Sequence, residues 1–370
     1  MKEEKKISRN VSMDLLRIMC CFFIILLHTS GHLNTSGHLW KGIQIIVRPA
    51  LWTFMALTGY FAFRKPIDNC FKFWFKHIMG LIIPVTIYLL FYHIFINKTI
   101  EGFDPFVFIK GDPIGHLWYV YALIQIYILL PFLKKMLDSL NKKQIITLLI
   151  TFLVISRGIK LLTNNGIKIG FSTDLIGNCN LFFVILGYYL YKYPIQFKRK
   201  INVYLLLAIN LIISYLALSN PKLSIGLFEL SFVMTIGVIC YITIFSQWHK
   251  NGNEKEKNEN NNKIKKEIGN IISFIGKRTF GIYIIHMSIF QYMTQNSILL
   301  LNSESVIEVA GILMLKTIMI FGIGFLISTL LDGTLVFIVK WIFNKIYDLF
   351  EKLFKFLNQK LHLDLKFNIE

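Results

Sequence analysis

Charge is what this 370-residue chain has least of. Asp, Glu, Lys and Arg together make up only 16% of it, where a soluble protein of this size carries about a quarter. Acidic residues are the scarcer sign, 21 against 40 Lys and Arg, which leaves a formal net charge of +19. Cysteine is sparse as well. The five, Cys20, Cys21, Cys70, Cys179 and Cys240, have neither disulfide nor zinc-ligand spacing, and most fall in apolar runs, so they are expected as small buried core residues and no metal is expected. There is no internal repeat, and no stretch at either end suggests a sizeable soluble domain. Short alternating segments of period 2, which a closed membrane barrel requires, are absent. What the chain does have is apolar length: 55% of it is hydrophobic, with 33 Phe and 16 Tyr, arranged in runs near the ~20 residues a helix needs to cross a bilayer. The expected fold class is all-α, a polytopic membrane protein.

About ten transmembrane helices are expected, over 13–33, 43–63, 77–97, 117–133, 144–162, 177–191, 202–219, 225–247, 271–293 and 306–331. Arg157 and Asn178 interrupt the fifth and sixth. The Lys-rich N-terminal segment followed by an apolar run has the outline of a signal peptide, but no small-residue cleavage site follows it and many spans come after, so it reads as an uncleaved first helix. Lys and Arg in the connections set the orientation. Taking alternate connections, one side holds 30 of them and the other 8, which puts both termini in the cytoplasm and favours an even number of spans. The same distribution answers what the basic excess is for. It follows the positive-inside pattern and attracts anionic membrane lipids; no nucleic acid is expected as a partner. Residues 249–270 are Asn, Lys and Glu with almost nothing to bury and read as a flexible cytoplasmic loop. Residues 1–332 form the expected transmembrane domain, and 333–370 an amphipathic cytoplasmic tail lying on the inner leaflet.

The first span carries three ionisable residues, Asp14, Arg17 and His28. Charge inside lipid is costly, so a span that keeps such groups generally uses them. Arg17 and His28 are eleven residues apart, about three helical turns, so they share a face and lie roughly 16 Å apart along the axis. Asp14 is one turn before Arg17, within pairing distance. If the helix enters from the cytoplasm near Met13, His28 lies roughly 22 Å in, towards the outer face of a ~30 Å core. An imidazole there is placed to take a proton from a hydroxyl; equally, it can be hydrogen-bonded to a neighbouring helix. Arg17 can grip a phosphate by bidentate hydrogen bonds, or simply pair with Asp14 or reach the interface.

Before the fourth span, 111–121 reads Gly-Asp-Pro-Ile-Gly-His-Leu-Trp-Tyr-Val-Tyr. His116, Trp118 and Tyr119 offer a polar, aromatic edge on the outer side that suits a sugar by stacking and hydrogen bonding, or an aromatic belt at the headgroups. Glu229 in the eighth span and His286 in the ninth are further ionisable groups at membrane depth, pathway residues or paired structural ones. His32 and His38, in an outer loop, read as solvated.

These segments together resemble the integral-membrane acyltransferase family 3, which moves acyl groups onto extracytoplasmic sugars. Arg17, ten residues and His28, preceded by Asp14-Leu15-Leu16, resembles the first-span pattern of the family. Thr53-Phe54-Met55-Ala56-Leu57-Thr58-Gly59-Tyr60 is similar to its Phe-rich Ser-Gly-Tyr segment, with Thr58 in place of the serine. His116-Leu117-Trp118-Tyr119 with Leu129-Leu130-Pro131 resembles its fourth-span signature. Thr279-Phe280-Gly281-Ile282-Tyr283-Ile284-Ile285-His286 resembles a late Gly-Ile-Tyr-Leu-Ile-His segment. The matches occur in family order across about residues 12–331. One departure is plain: where the family often has paired arginines ahead of the third-span proline, this chain has Lys72 and Lys76 ahead of Pro84, point charges in place of planar forks.

The resemblance implies a membrane O-acyltransferase of the cell membrane that takes an acyl group, acetyl first among the candidates, from cytoplasmic acyl-CoA and passes it to a hydroxyl of a cell-surface or lipid-linked glycan. On that reading the expected sites are Arg17, Lys72 and Lys76 on the donor, His28 as base with Asp14 orienting Arg17, and His116, Trp118, Tyr119, His286 and Glu229 around the acceptor. Succinyl transfer is an alternative acyl chemistry. A transporter or flippase for the glycan itself is the alternative of another class, since many spans and buried charges suit one equally. The high Lys, Asn and Ile content points to a low-GC, bacterial source.

Overall fold

A computed structural model of the chain describes residues 10–33, 37–64, 66–67, 69–96, 98–99, 101, 103, 115–168, 170, 178–224, 227–252, 259–298 and 305–360. The segment 111–114 of the expected sugar-facing loop lies outside them. Among the described residues the longer elements are α1 (Val11–Thr29), α2 (His38–Val47), α3 (Pro49–Ala62), α4 (Cys70–Phe91), α5 (Trp118–Ser139), α6 (Lys142–Asn164), α7 (Cys179–Lys192), α8 (Ile201–Ser219), α9 (Phe232–Gly252), α10 (Glu259–Gln295), α11 (Val306–Gly333) and α12 (Leu335–Lys360), with no strand among them.

Four of the helix starts use the same device, an asparagine whose side chain accepts from a backbone N–H left open in the first turn. Asn10 accepts from Met13 N at 3.3 Å, Asn69 from Lys72 N at 2.8 Å and Asn178 from Leu181 N at 3.1 Å. Asn141 and Gln144 form a reciprocal capping box at the start of α6.

Among the described residues, seven helical stretches are long and apolar enough to cross a membrane: Val11–Thr29, His38–Ala62, Cys70–Phe95, Gly115–Ser139, Lys142–Asn164, Ile201–Ser219 and Val306–Leu357. The other three expected spans are helical too, as α7, α9 and part of α10. At 14 residues, α7 reaches only about 21 Å, short of a full crossing. The expected cytoplasmic loop is helical at both described ends, since α9 continues to Gly252 and α10 begins at Glu259. Lys and Glu are good helix formers, and an adjoining apolar helix supplies the nucleus that an isolated polar segment lacks.

The contacts divide the chain into two units. One comprises Met1–Phe63, Asn141–Thr279 and Leu301–Ile318; the other comprises Arg64–Leu140, Phe280–Leu300 and Met319–Glu370. In the first unit α1 is central. Met13, Leu16, Cys20, Cys21, Ile24 and Ile25 are all buried, and α1 packs on α2, α3 and α9. The closest crossing in this unit is α3 on α7. A Cβ on Gly59 would fall 1.9 Å from the Val184 carbonyl oxygen, and one on Gly187 would fall 1.8 Å from that of Ala56. Only paired glycines let the two backbones approach this closely. Trp52 stacks on Phe183 at 5.1 Å beside the crossing.

α2 and α3 make up a single apolar stretch divided at Arg48, whose own backbone stays helical. Pro49, which follows, brings no N–H to the helix ladder, so the interruption has an identifiable cause. The hydroxyl of Tyr241 donates to the Ile46 carbonyl at 2.5 Å next to it. In the second unit, Tyr88 donates to Asp332 at 3.0 Å and Ser328 donates to the same carboxylate at 3.1 Å. In the same unit α12 lies on α4, with Phe75 and Tyr347 at 4.6 Å.

Candidate active site

Asp14 and Arg17 meet as their spacing on α1 predicts, with Arg17 Nη1 donating to Asp14 Oδ1 at 3.1 Å. Asp14 is buried, and its side chain lies against α10 where a Cβ on Gly276 would fall 2.9 Å from Asp14 Cβ. A larger residue at 276 would push the carboxylate out of place. The Arg17 guanidinium covers the ring of Phe61 at 4.1 Å, a cation–π contact that orients the fork as well as adding attraction. Arg17 is therefore held by an acid from its own helix and by a ring at the end of α3.

His28 is half-buried in the last turn of α1, two residues before Ser30, whose hydroxyl accepts from Gln44 Nε2 while Gln44 Oε1 accepts from Arg48 Nε. Arg48 immediately precedes α3, and Phe61 is near that helix's other end. The Arg17 end and the His28 end of α1 thus lie by opposite ends of one neighbour, α3. Around the His28 end lie polar groups from three helices. Thr29 and Thr317 bring their hydroxyls to 3.1 Å, Ser30 donates to the Leu27 carbonyl at 2.9 Å, and Gln44 Nε2 donates to Ser30 Oγ at 3.3 Å.

At the Asp14 end a groove of about 500 Å³ opens between the start of α1 and α10, lined by Lys265, Lys266 and Lys277 with Asn270 and Ser273. Three ammonium groups with amide and hydroxyl donors suit a phosphorylated ligand. Neither these lysines nor Arg48 was singled out from the sequence. Lys265 and Lys266 sit in a stretch whose composition suggested only a solvated loop, and Lys277 lies within the expected ninth span. Arg48 had one signal: it is the basic residue beside the proline that breaks the second apolar run.

The second unit holds the other sequence-predicted residues except Glu229, and it brings three of them together. His116 and His286 are buried, with rings 4.8 Å apart, and Tyr283 lies at 5.4 Å from Tyr119 and 5.6 Å from His116. A carbonyl only accepts, so His116 Nε2 carries hydrogen and donates to Ile284 O at 3.0 Å, while His286 Nδ1 donates to Tyr283 O at 2.5 Å. The Tyr283 hydroxyl donates in turn to the His116 carbonyl. Sequence reasoning missed Tyr283 as the centre of this cluster, although it lies within the quoted motif. Trp118 differs from its neighbours in being exposed.

The remaining predicted residues stand elsewhere. Glu229, expected inside the eighth span, precedes α9 in a turn, more than half exposed, and pairs with Lys160. The span shortens because a bend over Phe228–Leu230 delays the helix to Phe232. Lys72 is exposed and lies 3.9 Å from Glu351 of α12, and Lys76 is exposed beside it on α4. His38, expected as solvated, is exposed at the start of α2, with its ring stacked on Tyr215 at 6.3 Å.

A family profile described as an acyltransferase domain matches residues 10–333. No curated protein and no solved structure matches the chain.

Proposed function

The chain belongs to acyltransferase family 3, and from that membership and the residues along α1 we propose that it carries an acyl group, acetyl in the first instance, from acyl-CoA at the cytoplasmic face to a hydroxyl of a cell-surface or lipid-linked glycan. The protein is a multi-pass membrane acyltransferase. The finer proposal adds ten spans with both termini inside, in the plasma membrane of a bacterium.

One observation carries the reading: the Arg17 end and the His28 end of α1 lie by opposite ends of α3, with a lysine-lined groove beginning at the Arg17 end. The donor's phosphates would lie among Lys265, Lys266 and Lys277, with Arg17 fixed by Asp14 at the entrance. The acyl end would extend along α1 to His28, which would take the proton of the acceptor hydroxyl as its oxygen attacks the thioester carbonyl. In the second unit, Trp118, as the exposed aromatic of its cluster, would offer a stacking face to a sugar. His116, Tyr119 and His286 would hold that ring in place from behind.

The test is mass spectrometry of surface glycans from cells carrying the gene, lacking it, or expressing His28→Ala at equal protein level. The expected result is an acyl mass increment present in the first strain and missing from the other two. An unchanged glycan profile in all three would remove the acyltransferase assignment. A profile in which the glycan itself fails to reach the surface would favour a transporter.

A further inference from the structure

Arg17 lies within an apolar helix and Arg48 at the junction of two, but their surroundings differ in one respect. Arg17 faces a carboxylate at 3.1 Å. Arg48 does not: its Nε donates to Gln44 Oε1 at 2.7 Å and its guanidinium covers the Phe228 ring at 4.3 Å. Neither partner is charged, and among the described residues no carboxylate pairs with it. Glu229, adjacent to Phe228 in sequence, is committed to Lys160. A guanidinium carries five N–H donors, and the bond to Gln44 uses only the one on Nε.

A cation kept in an apolar segment is costly, and such groups mark functional sites. The contacts of Arg48 add to this, because they aim it. Gln44 is buried and bonds at both ends, to Arg48 through its oxygen and to Ser30 Oγ through its nitrogen at 3.3 Å. Ser30 is two residues beyond His28. The chain Ser30–Gln44–Arg48 therefore ties the guanidinium to the same end of α1 as the imidazole. Phe228 holds its flat face, and Pro49, with no N–H, interrupts the helix ladder directly after the residue.

We propose that Arg48 is the oxyanion-stabilising residue of the acyl transfer, its terminal N–H groups meeting the thioester carbonyl oxygen as negative charge builds there. The inference rests on the acyltransferase reading above. The acceptor oxygen bonds to the carbonyl carbon while its proton passes to His28, and the carbonyl π pair moves onto the oxygen facing Arg48. When that pair returns, the carbon–sulfur bond breaks, and the departing thiolate takes the proton back from His28. An ester and a free thiol result, with no change of oxidation state. The charge appears only in the transition state and intermediate, where a fixed donor acts most strongly. Gln44 and Phe228 are positioning residues that hold the fork.

The experiment uses the full-length protein in membranes that contain the host's own glycan acceptors, with radiolabelled acetyl-CoA as donor. Removing one oxyanion donor lowers kcat about 10²- to 10³-fold, and that is the fall expected for R48K, because lysine cannot reproduce the fork. KM for acetyl-CoA should stay within about threefold, the signature of an interaction made only in the transition state. Added methylguanidine should restore part of the R48A rate and none of the H28A rate. R48K with kcat within about twofold of the parent, or with KM raised and kcat intact, would overturn the proposal by making Arg48 a binding or structural cation. Loss of folded protein in both variants without methylguanidine rescue would overturn it in the same way. A parent chain that transfers no acetyl, propionyl or succinyl group would overturn the acyltransferase reading and this role with it; an active parent with an active R48K overturns Arg48 alone.

Discussion

Asp14 is held from two sides, by Arg17 at 3.1 Å and by the bare face of α10 at Gly276. Replacing it with Asn keeps the shape and removes the charge, so Arg17 stays near Phe61 but loses its acid. A hydrogen bond to a charged group contributes about 1.5–3 kcal/mol. On the proposed donor role, Asp14→Asn should therefore raise KM for acetyl-CoA by about one to two orders of magnitude with a smaller effect on kcat, measured by steady-state transfer. His286 makes the opposite prediction. It is buried among His116, Tyr283 and Tyr119, so His286→Ala leaves a cavity and breaks a hydrogen bond. We expect a loss of about 2–4 kcal/mol, read as a lower melting temperature in detergent. Trp118→Ala, at an exposed ring, should leave melting unchanged and raise the acceptor KM. At this scale the sequence showed which residues were unusual: the Asp14–Arg17 contact follows from one helical turn. It could not show that His116, drawn as an outer edge, faces inward, because that depends on Tyr283 and His286 from a helix some 170 positions away.

Between elements, the α3–α7 crossing explains a motif that resemblance alone left as a string of letters. Gly59 in Thr58-Gly59-Tyr60 meets Val184, and Gly187 meets Ala56. Gly59→Ala and Gly187→Ala should each force the helices apart, costing about 1–3 kcal/mol or more, with a fall in folded yield as the measurement. Gly42→Ala, where nothing lies within 4 Å of the added carbon, serves as the control and should be tolerated. Gly59 was legible as a pattern position; its partner was not, since Gly187 sits in an apolar run with no signal of its own. The 249–270 stretch shows the converse limit. Composition there spoke only of solvation, and the helices that enter it are set by their apolar neighbours in α9 and α10.

For the whole molecule, the loop-by-loop basic bias predicts both termini inside and the far end of α1 outside. The native cysteines do not compete as probes, since Cys20, Cys21, Cys70 and Cys240 are buried and Cys179 is half-buried. An impermeant maleimide applied to intact cells should label Leu33→Cys directly and Lys355→Cys only after permeabilisation. The reverse pattern would invert the donor and acceptor ends of α1.

The sequence by itself determined the class of this protein. Hydropathic length, few charges and a one-sided distribution of Lys and Arg require a polytopic helical membrane protein, because the bilayer constrains every segment separately. It determined the α1 stripe as well, because a helix converts spacing into position with no help from its neighbours. Tertiary structure decided what lies by each end of the stripe: Phe61 and Gly276 at one end, Arg48 and its Gln44 tether at the other. Those partners come from helices distant in sequence, and only packing selects among the many apolar faces that local patterning leaves equivalent.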